Sequence, residues 1–565
     1  MPSAAVSPHW PAVLPHHLTV PETSLCRNLE VSALRYPDKA FCLYYGATLS
    51  YRDAWRQTLA LAGFLQTDCG VRAGDRVAIY MQNSPQFVIA YYAILRANAV
   101  VVPVNPMNRR EELAHVLRDS GARWVFAAQD LVEEARPALD AADGASAALV
   151  DGVVAVTYGD CIDRATDLPL PAMVSESRKT WQDRRIVAWA DALARDRAPG
   201  PLTAGPDDLC VLPYTSGTTG LPKGCVHTHR SVLHTVVGGV QWFSRNQDAV
   251  YLSVLPFFHV TGMVSSMHGP VFAGATMVIL SRWDREAAAV CIERHRVTVW
   301  QTISTMMIDF LAYPALGEHD LRSLTGVRGG GAAMPPAVAA RLKALTGLDF
   351  VEGYGLSETI AAVMINPPER PKPQCLGIPV FDVQVRIADP ATLQPLPGGE
   401  VGEILVHAPQ VMKGYWNDAA ASAEALVELD GKTYLRTGDL GHVDDEGYFF
   451  MVDRLKRMIN AAGFKVWPAE VEAMMYEHPS VLEVCVIGAA DAQRGETVKA
   501  LVVLRPGAPP IDAPALVEWA RGRMAAYKCP RIVEFVRALP KSASGKVRWR
   551  ELQSGAVSAE AASAS

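Results

Sequence analysis

Tyr214-Thr215-Ser216-Gly217-Thr218-Thr219-Gly220-Leu221-Pro222-Lys223-Gly224 is the stretch from which the fold reads outward. It holds four Ser/Thr hydroxyls, three glycines and one lysine in eleven residues. Glycines let backbone N–H groups come close to an anion and a lysine adds a point charge, so the loop suits a polyphosphate. It is not a Walker A loop, because the GxxxxGK[ST] spacing fails and Gly224 stands where Ser or Thr is required. Composition by itself leaves a flexible polar turn equally open. The flanks say more. Asp208 to Tyr214 reads as a strand leading into the loop, and a helical stretch leads out from about Thr228.

The same alternation recurs upstream. Gly74-Asp75-Arg76-Val77-Ala78-Ile79-Tyr80 reads as a strand, and Ser84-Pro85 as an N-cap followed by proline at the first helical position. The helix to about Ala99 is apolar almost all round and is therefore expected to be buried; Val100 to Val104 follows as the next strand. This predicts a large α/β domain built on a mostly parallel sheet covered by helices. Past Asp453 the pattern restarts. A helix over Pro468 to His478, strands over Leu482 to Ile487 and Thr497 to Leu504, and a helix near Ala513 to Met524 predict a small α+β domain. A chain of 565 residues exceeds what one core serves, which agrees with two domains. The expected division is residues 1–452, a junction at 453–456, a small domain at 457–553 and a disordered tail at 554–565.

A net charge of −6 argues against a nucleic-acid partner, so any polyanion must be held locally. The ten cysteines are scattered without a CxxC pair, which points to free thiols in a reducing compartment and not to zinc or a redox pair. The N-terminus does not read as a signal peptide. Phe87 to Leu95 is too short to span a bilayer. A cytoplasmic location is expected. Peripheral membrane binding and oligomeric state stay open.

Further segments carry chemistry in order along the chain: Gly329-Gly330-Gly331-Ala332-Ala333-Met334, then Gly353-Tyr354-Gly355-Leu356-Ser357-Glu358-Thr359, then Tyr434-Leu435-Arg436-Thr437-Gly438-Asp439-Leu440. Asp453-Arg454-Leu455-Lys456 and Pro540-Lys541-Ser542-Ala543-Ser544-Gly545-Lys546 complete the set. Each alone reads as a turn, a polar linker or a solvated loop. Together with the loop at 214–224 they resemble the signatures of the adenylate-forming superfamily, which includes acyl-CoA synthetases, non-ribosomal adenylation domains and beetle luciferases. The resemblance runs from about Leu29 to Leu552.

The resemblance implies ATP, Mg²⁺ and CoA as small-molecule partners and assigns roles to residues. Thr215, Ser216, Gly217, Thr218, Thr219, Gly220 and Lys223 would hold phosphates. Tyr354 in the Gly355 turn would stack on adenine, Ser357 would meet the α-phosphate, and Glu358 would bind Mg²⁺. Gly331 and Ala332 would shape the adenine pocket, and Asp439 with Arg454 would reach the ribose. Lys456 would be the hinge, Lys546 the catalytic lysine stabilising charge on the transferring phosphate, and Gly463 the close approach for the pantetheine arm. The implied reaction is attack of a carboxylate on the α-phosphorus of ATP, then attack of a thiol on the acyl-adenylate.

Departures narrow the branch. Ala462 stands where luciferases have a second lysine, and apolar Val260 beside His259 offers no counter-charge for an amino acid. Met458 to Glu472 resembles the CoA-ligase version of its loop, so CoA is expected over a carrier protein, which remains an alternative acceptor. His259 is read either as the residue gating the acyl pocket or as a packed core histidine. Small residues at Gly262, Gly329 and Gly330 suggest space for an apolar tail. Met81 to Phe87 and Pro103 to Met107 resemble bacterial medium- and long-chain fatty acid–CoA ligases, so a fatty acid is the expected substrate and an aryl acid the alternative.

Overall fold

The computed structural model describes residues 7–140, 148–162, 165–215, 221–331, 333–461, 464–491, 495–541, 547–553 and 555. The chain divides into two compact units, Met1–Gln384 with Val406–Leu435, and Val385–Leu405 with Arg436–Ser565. The strands Gly402–His407 and Lys432–Val443 each pass from one unit into the other.

In the first unit a seven-stranded sheet runs in the order Ile186–Ala188, Gly152–Val156, Ala122–Ala128, Arg76–Tyr80, Val100–Pro103, Leu209–Val211, His227–Thr228. All its pairings are parallel except the last. The expected strand–helix–strand unit is present. Ser84 Oγ accepts from Phe87 N at 3.2 Å and Pro85 opens the helix Pro85–Arg96, in which every residue through Leu95 is buried. The helix stops short of Ala99 because Asn98 takes left-handed backbone, with φ at 61°. Thr228 caps the helix His229–Trp242 in the same way, through Ser231 N at 3.2 Å.

A nine-stranded sheet completes this unit: Ile378–Pro379, Ala361–Ile365, Phe350–Leu356, Gly326–Gly330, Val299–Thr302, Val250–Ser253, Thr276–Ile279, Ala40–Tyr44, Ala47–Ser50. Its middle is parallel, and Phe350–Leu356 turns back antiparallel into Ala361–Ile365. Register sets Gly329 beside Glu352 and Gly330 beside Gly353. Two of the sequence motifs are thereby neighbours on adjacent strands, with Ser357 and Glu358 at the tip of the following hairpin.

The second unit contains a sheet in the order Phe464–Val466, Ile459–Ala461, Gly495–Leu504, Val481–Asp491, with Ile532–Phe535 parallel to Gly495–Leu504. The helices Pro468–Tyr476 and Ala513–Arg521 supply Val471, Met475, Leu516 and Ala520 to its core. This is the small α+β arrangement expected from the sequence. No helix among the described residues is long and apolar enough to cross a membrane.

Candidate active site

Two segments far apart in sequence are laced together around Lys223. Thr215 N donates to Lys223 O at 2.9 Å, and Tyr214 pairs antiparallel with Gly224. These contacts fix the base of the loop expected to hold phosphates. Its centre, Ser216 to Gly220, lies outside the described residues. Tyr214 is anchored in turn by its hydroxyl, which donates to Asp119 Oδ2 at 2.6 Å.

On the other side, Trp416 N donates to Gly224 O at 2.7 Å, Lys413 N to Val226 O at 2.9 Å, and Cys225 pairs with Tyr415. Tyr415 and Asp418 were not singled out by sequence, yet both converge on the motif residues. The Lys223 ammonium lies 3.1 Å from Asp418 Oδ2 and 5.3 Å from the centre of the Tyr415 ring. The Tyr415 hydroxyl donates to Glu358 Oε1 at 2.8 Å, and Met412 N to Glu358 O at 2.8 Å. Burial pushes the Tyr415 phenol well up, helped by the Glu358 carboxylate, so the phenol stays protonated as a donor. His227 Nε2 lies 2.8 Å from Ser357 O, and burial lowers its pKa to about 4, so the ring is neutral and donates to that carbonyl.

The other pocket residues of this unit fall around the same hairpin. Tyr354 is buried, while Gly355, Ser357 and Glu358 keep some exposure. Gly331 has φ at 84°, backbone that glycine adopts without strain; Ala332 lies outside the described residues. A Cβ at Gly262 would meet Pro256 O at 2.2 Å, and one at Gly330 would meet Gly353 O at 2.4 Å. Glycine at these places, as at Gly329 against Thr302 O, is required by neighbouring backbone. His259 is half-buried and caps the short helix Val260–Gly262, with Nδ1 accepting from Thr261 N at 3.4 Å.

Within the second unit, Asp439 is paired in register with Arg454, whose Nε lies 3.0 Å from Asp439 Oδ1. Gly438 is left-handed at φ 67°, and its N–H donates to Glu403 Oε1 at 3.1 Å, which also receives Arg436 through its other oxygen at 2.7 Å. Asp453 accepts from Arg454 N at 2.6 Å and from Ala469 N at 2.7 Å, tying the end of one strand to the first turn of the helix Pro468–Tyr476. Lys456 lies in the single helical turn Leu455–Arg457. Gly463 and Lys546 lie outside the described residues.

In the first unit the Lys223 ammonium and the Glu358 carboxylate, one oxygen of which takes the Tyr415 hydroxyl, are groups whose chemistry suits phosphate and a hard cation. The AMP-binding enzyme family matches residues 29–416, and the AMP-binding enzyme C-terminal domain matches 470–546. The chain belongs to that family, and so to the adenylate-forming superfamily. It is an AMP-forming acid–thiol ligase that uses ATP and CoA on a small carboxylic acid.

Among its relatives is a long-chain-fatty-acid–CoA ligase of Bacillus subtilis, 35% identical over 553 residues that cover 96% of each chain. A feruloyl-CoA synthase of an Amycolatopsis species is 36% identical over 510 residues, covering 90% of this chain and 94% of that one. Among solved structures, an anthranilate CoA ligase in complex with anthranoyl-AMP superposes with a TM-score of 0.81 at 26% identity, covering 97% of this chain and 99% of that one.

Proposed function

We propose that the acid is an aryl or arylalkenyl carboxylic acid, activated as its adenylate and passed to CoA. The observation that carries this reading is a narrow cavity of about 50 Å³ beside the helix His229–Trp242. It borders Ala361 and Ala362, just past the Ser357–Thr359 turn, and its walls include the Phe243 and Tyr251 rings. Aromatic walls of this kind suit an aromatic ring of the acid, which can pack offset or edge-to-face against them. The names of two of the three relatives given above, feruloyl-CoA synthase and anthranilate CoA ligase, support the same class. The fatty acid expected from sequence is the second reading, favoured by the likeness to the Bacillus subtilis ligase over nearly the whole chain.

In the proposed chemistry the substrate carboxylate, already ionised at neutral pH, attacks the α-phosphorus of ATP and pyrophosphate leaves. The chain's contribution is placement and charge. Lys223 and the loop from Thr215 to Gly220 hold the β- and γ-phosphates, and Ser357 meets the α-phosphate. The Glu358 carboxylate, oriented by the Tyr415 hydroxyl, fits a Mg²⁺ ion, which would neutralise phosphate charge when bound. No group of three or more His, Cys, Asp or Glu suited to a metal occurs among the described residues, and Mg²⁺ needs few protein ligands when phosphates supply the rest.

Tyr354 would take the adenine, with Gly331, Ala332 and Gly355 assigned to the same pocket, and in the second unit the Asp439–Arg454 pair would serve the ribose. Lys546 stabilises charge on the transferring phosphate more than in the ground state. In the second half-reaction the CoA thiol attacks the acyl carbon, forming the thioester and releasing AMP. Residues 457–553 would turn about 453–456 between the two steps and bring Gly463 to the pantetheine arm. Ten free cysteines, nine of them buried, suit a cytoplasmic setting.

The test is AMP formation with ATP, Mg²⁺ and CoA across benzoates, cinnamates and aliphatic acids of rising length. The highest kcat/KM is expected on an aryl acid. A maximum on medium or long aliphatic acids would return the assignment to a fatty acid.

A further inference from the structure

Arg328 is the unusual residue of the cavity. It sits on the strand Gly326–Gly330, next to the Gly329–Gly331 motif, and is 7% exposed. Its guanidinium stacks on the Phe243 ring with 3.9 Å to the centroid. Among the described residues it makes no ion pair with a carboxylate, and its Nε has no hydrogen-bond partner. Burial lowers its pKa to about 10, the Tyr251 phenol, which accepts a hydrogen bond from the guanidinium, opposes that, and Arg245 adds repulsion, so the side chain remains a cation at neutral pH. The nearby buried acid does not answer it. Glu352 pairs in register with Gly329, one place along from Arg328, so its side chain leaves the other face of the sheet. There its carboxylate accepts from Met334 N at 2.7 Å and from Cys375 N at 3.3 Å.

Two more cavity-lining residues carry a buried polar atom without a partner, Gln410 Oε1 and His234 Nδ1, the other ring nitrogen of His234 lying 3.3 Å from Asp382 Oδ2. A buried cation without a carboxylate counter-charge is costly, and three buried polar atoms without a partner around one space are uncommon in a folded core. An occupant that supplies acceptor oxygen to Arg328 removes the largest part of that cost.

We infer that Arg328, assisted by Tyr251, receives an anionic or hydrogen-bond-accepting oxygen carried at the far end of the acid, a phenol or a second carboxylate. This rests on the cavity being the acyl site, as proposed above, and refines the substrate class. The acid enters with its reacting carboxylate toward Ser357 and Glu358 and its distal oxygen toward Arg328. Arg328 is thus a specificity residue for the tail and takes no part in the chemical steps.

The experiment uses the full chain and two matched pairs of acids: cinnamate against its 4-hydroxy and 4-carboxy forms, and octanoate against octanedioate. For at least one pair, kcat/KM should favour the member with the distal oxygen by roughly 10- to 100-fold, the range a hydrogen bond to a charged group supplies. The difference should lie mainly in KM, because the contact is made in ground and transition states alike. Arg328→Met should bring that ratio near one. Arg328→Lys should keep part of the preference for the carboxylate form, and Tyr251→Phe should reduce it less than Arg328→Met does.

Should Arg328→Met fail to fold, Arg328→Lys and Tyr251→Phe carry the same reading. Equal use of both members of each pair by the wild-type chain overturns the inference, and so does a preference that survives removal of the guanidinium. A preference confined to octanedioate overturns the aryl reading and leaves the role of Arg328 standing. Good activity on cinnamates without any preference does the reverse.

Discussion

Each unit buries one arginine of interest, and the two are held in opposite ways. Arg457 in the second unit donates to Glu472 Oε1 at 2.5 Å and to Val486 O at 3.1 Å, with Asp453 Oδ1 at 3.9 Å. Burial draws its pKa down, but Glu472 and Asp453 more than offset this and the net shift is upward. Arg328 in the first unit is at least as deeply buried and has a phenol and an aromatic face in place of carboxylates. The Nε of both is without a partner, so the contrast lies in the counter-charge. A buried cation answered by the chain's own acids belongs to the framework. One without a carboxylate partner, beside a cavity, is directed at a ligand.

The largest expected effect is on the framework side. Arg457→Met strands the Glu472 carboxylate, which also accepts Val486 N at 2.7 Å, next to the buried Asp453. Removing one partner of a buried pair costs about 3–5 kcal/mol, read as a lower denaturant midpoint for the second unit. A midpoint unchanged within error would mean that the pair is not structural, and the contrast with Arg328 would collapse.

Next in size, counted per residue, is an effect of pH on the first unit. His227 and His229 each have a pKa lowered to about 4 from the usual 6.5, by burial above all. Both are neutral in the fold and bind protons more readily once unfolded. Their contribution to stability is therefore complete above pH 6.5 and is lost as pH falls from 6.5 toward 4. By linkage each is worth roughly 3 kcal/mol across that window. Denaturant unfolding of the first unit at pH 7 and pH 5 should show the loss, and His227→Gln should reduce it. A flat profile would show that neither ring is held neutral.

How much of this was legible in the chain depended on the range of the forces involved. The Ser84-Pro85 and Thr228 helix starts and the strands leading into them follow from local capping and periodicity, and they are found where expected. The motif order gave the family for a similar reason, since each motif is contiguous. Tyr415 and Asp418 were silent because their partners, Glu358 and Lys223, are remote in sequence, and an aromatic or an aspartate carries no mark of such pairing. The glycines were legible as small but not as to what fills the space. Gly262 faces the Pro256 carbonyl and Gly330 the Gly353 carbonyl, contacts that only the folded sheet creates. Arg328 read as one more basic residue, because neither its burial nor the missing acid is written locally.

The smallest expected change is the one that separates the two arginines by sign. Arg328→Met removes a buried cation that no described carboxylate answers and puts an apolar chain of similar length among Phe243, Val264 and Phe381. The losses are its stacking on Phe243, about 0.5–2 kcal/mol for a desolvated pair, and its hydrogen bond with the Tyr251 hydroxyl. The gain is relief of desolvation and of repulsion from Arg245, and replacing buried charge by apolar side chains is often neutral or stabilising. The denaturant midpoint of the first unit should therefore stay level or rise slightly, while Arg457→Met lowers that of the second. A large fall for Arg328→Met would assign its guanidinium to the framework, as at Arg457, and the cavity would lose the feature that points it at a distal oxygen.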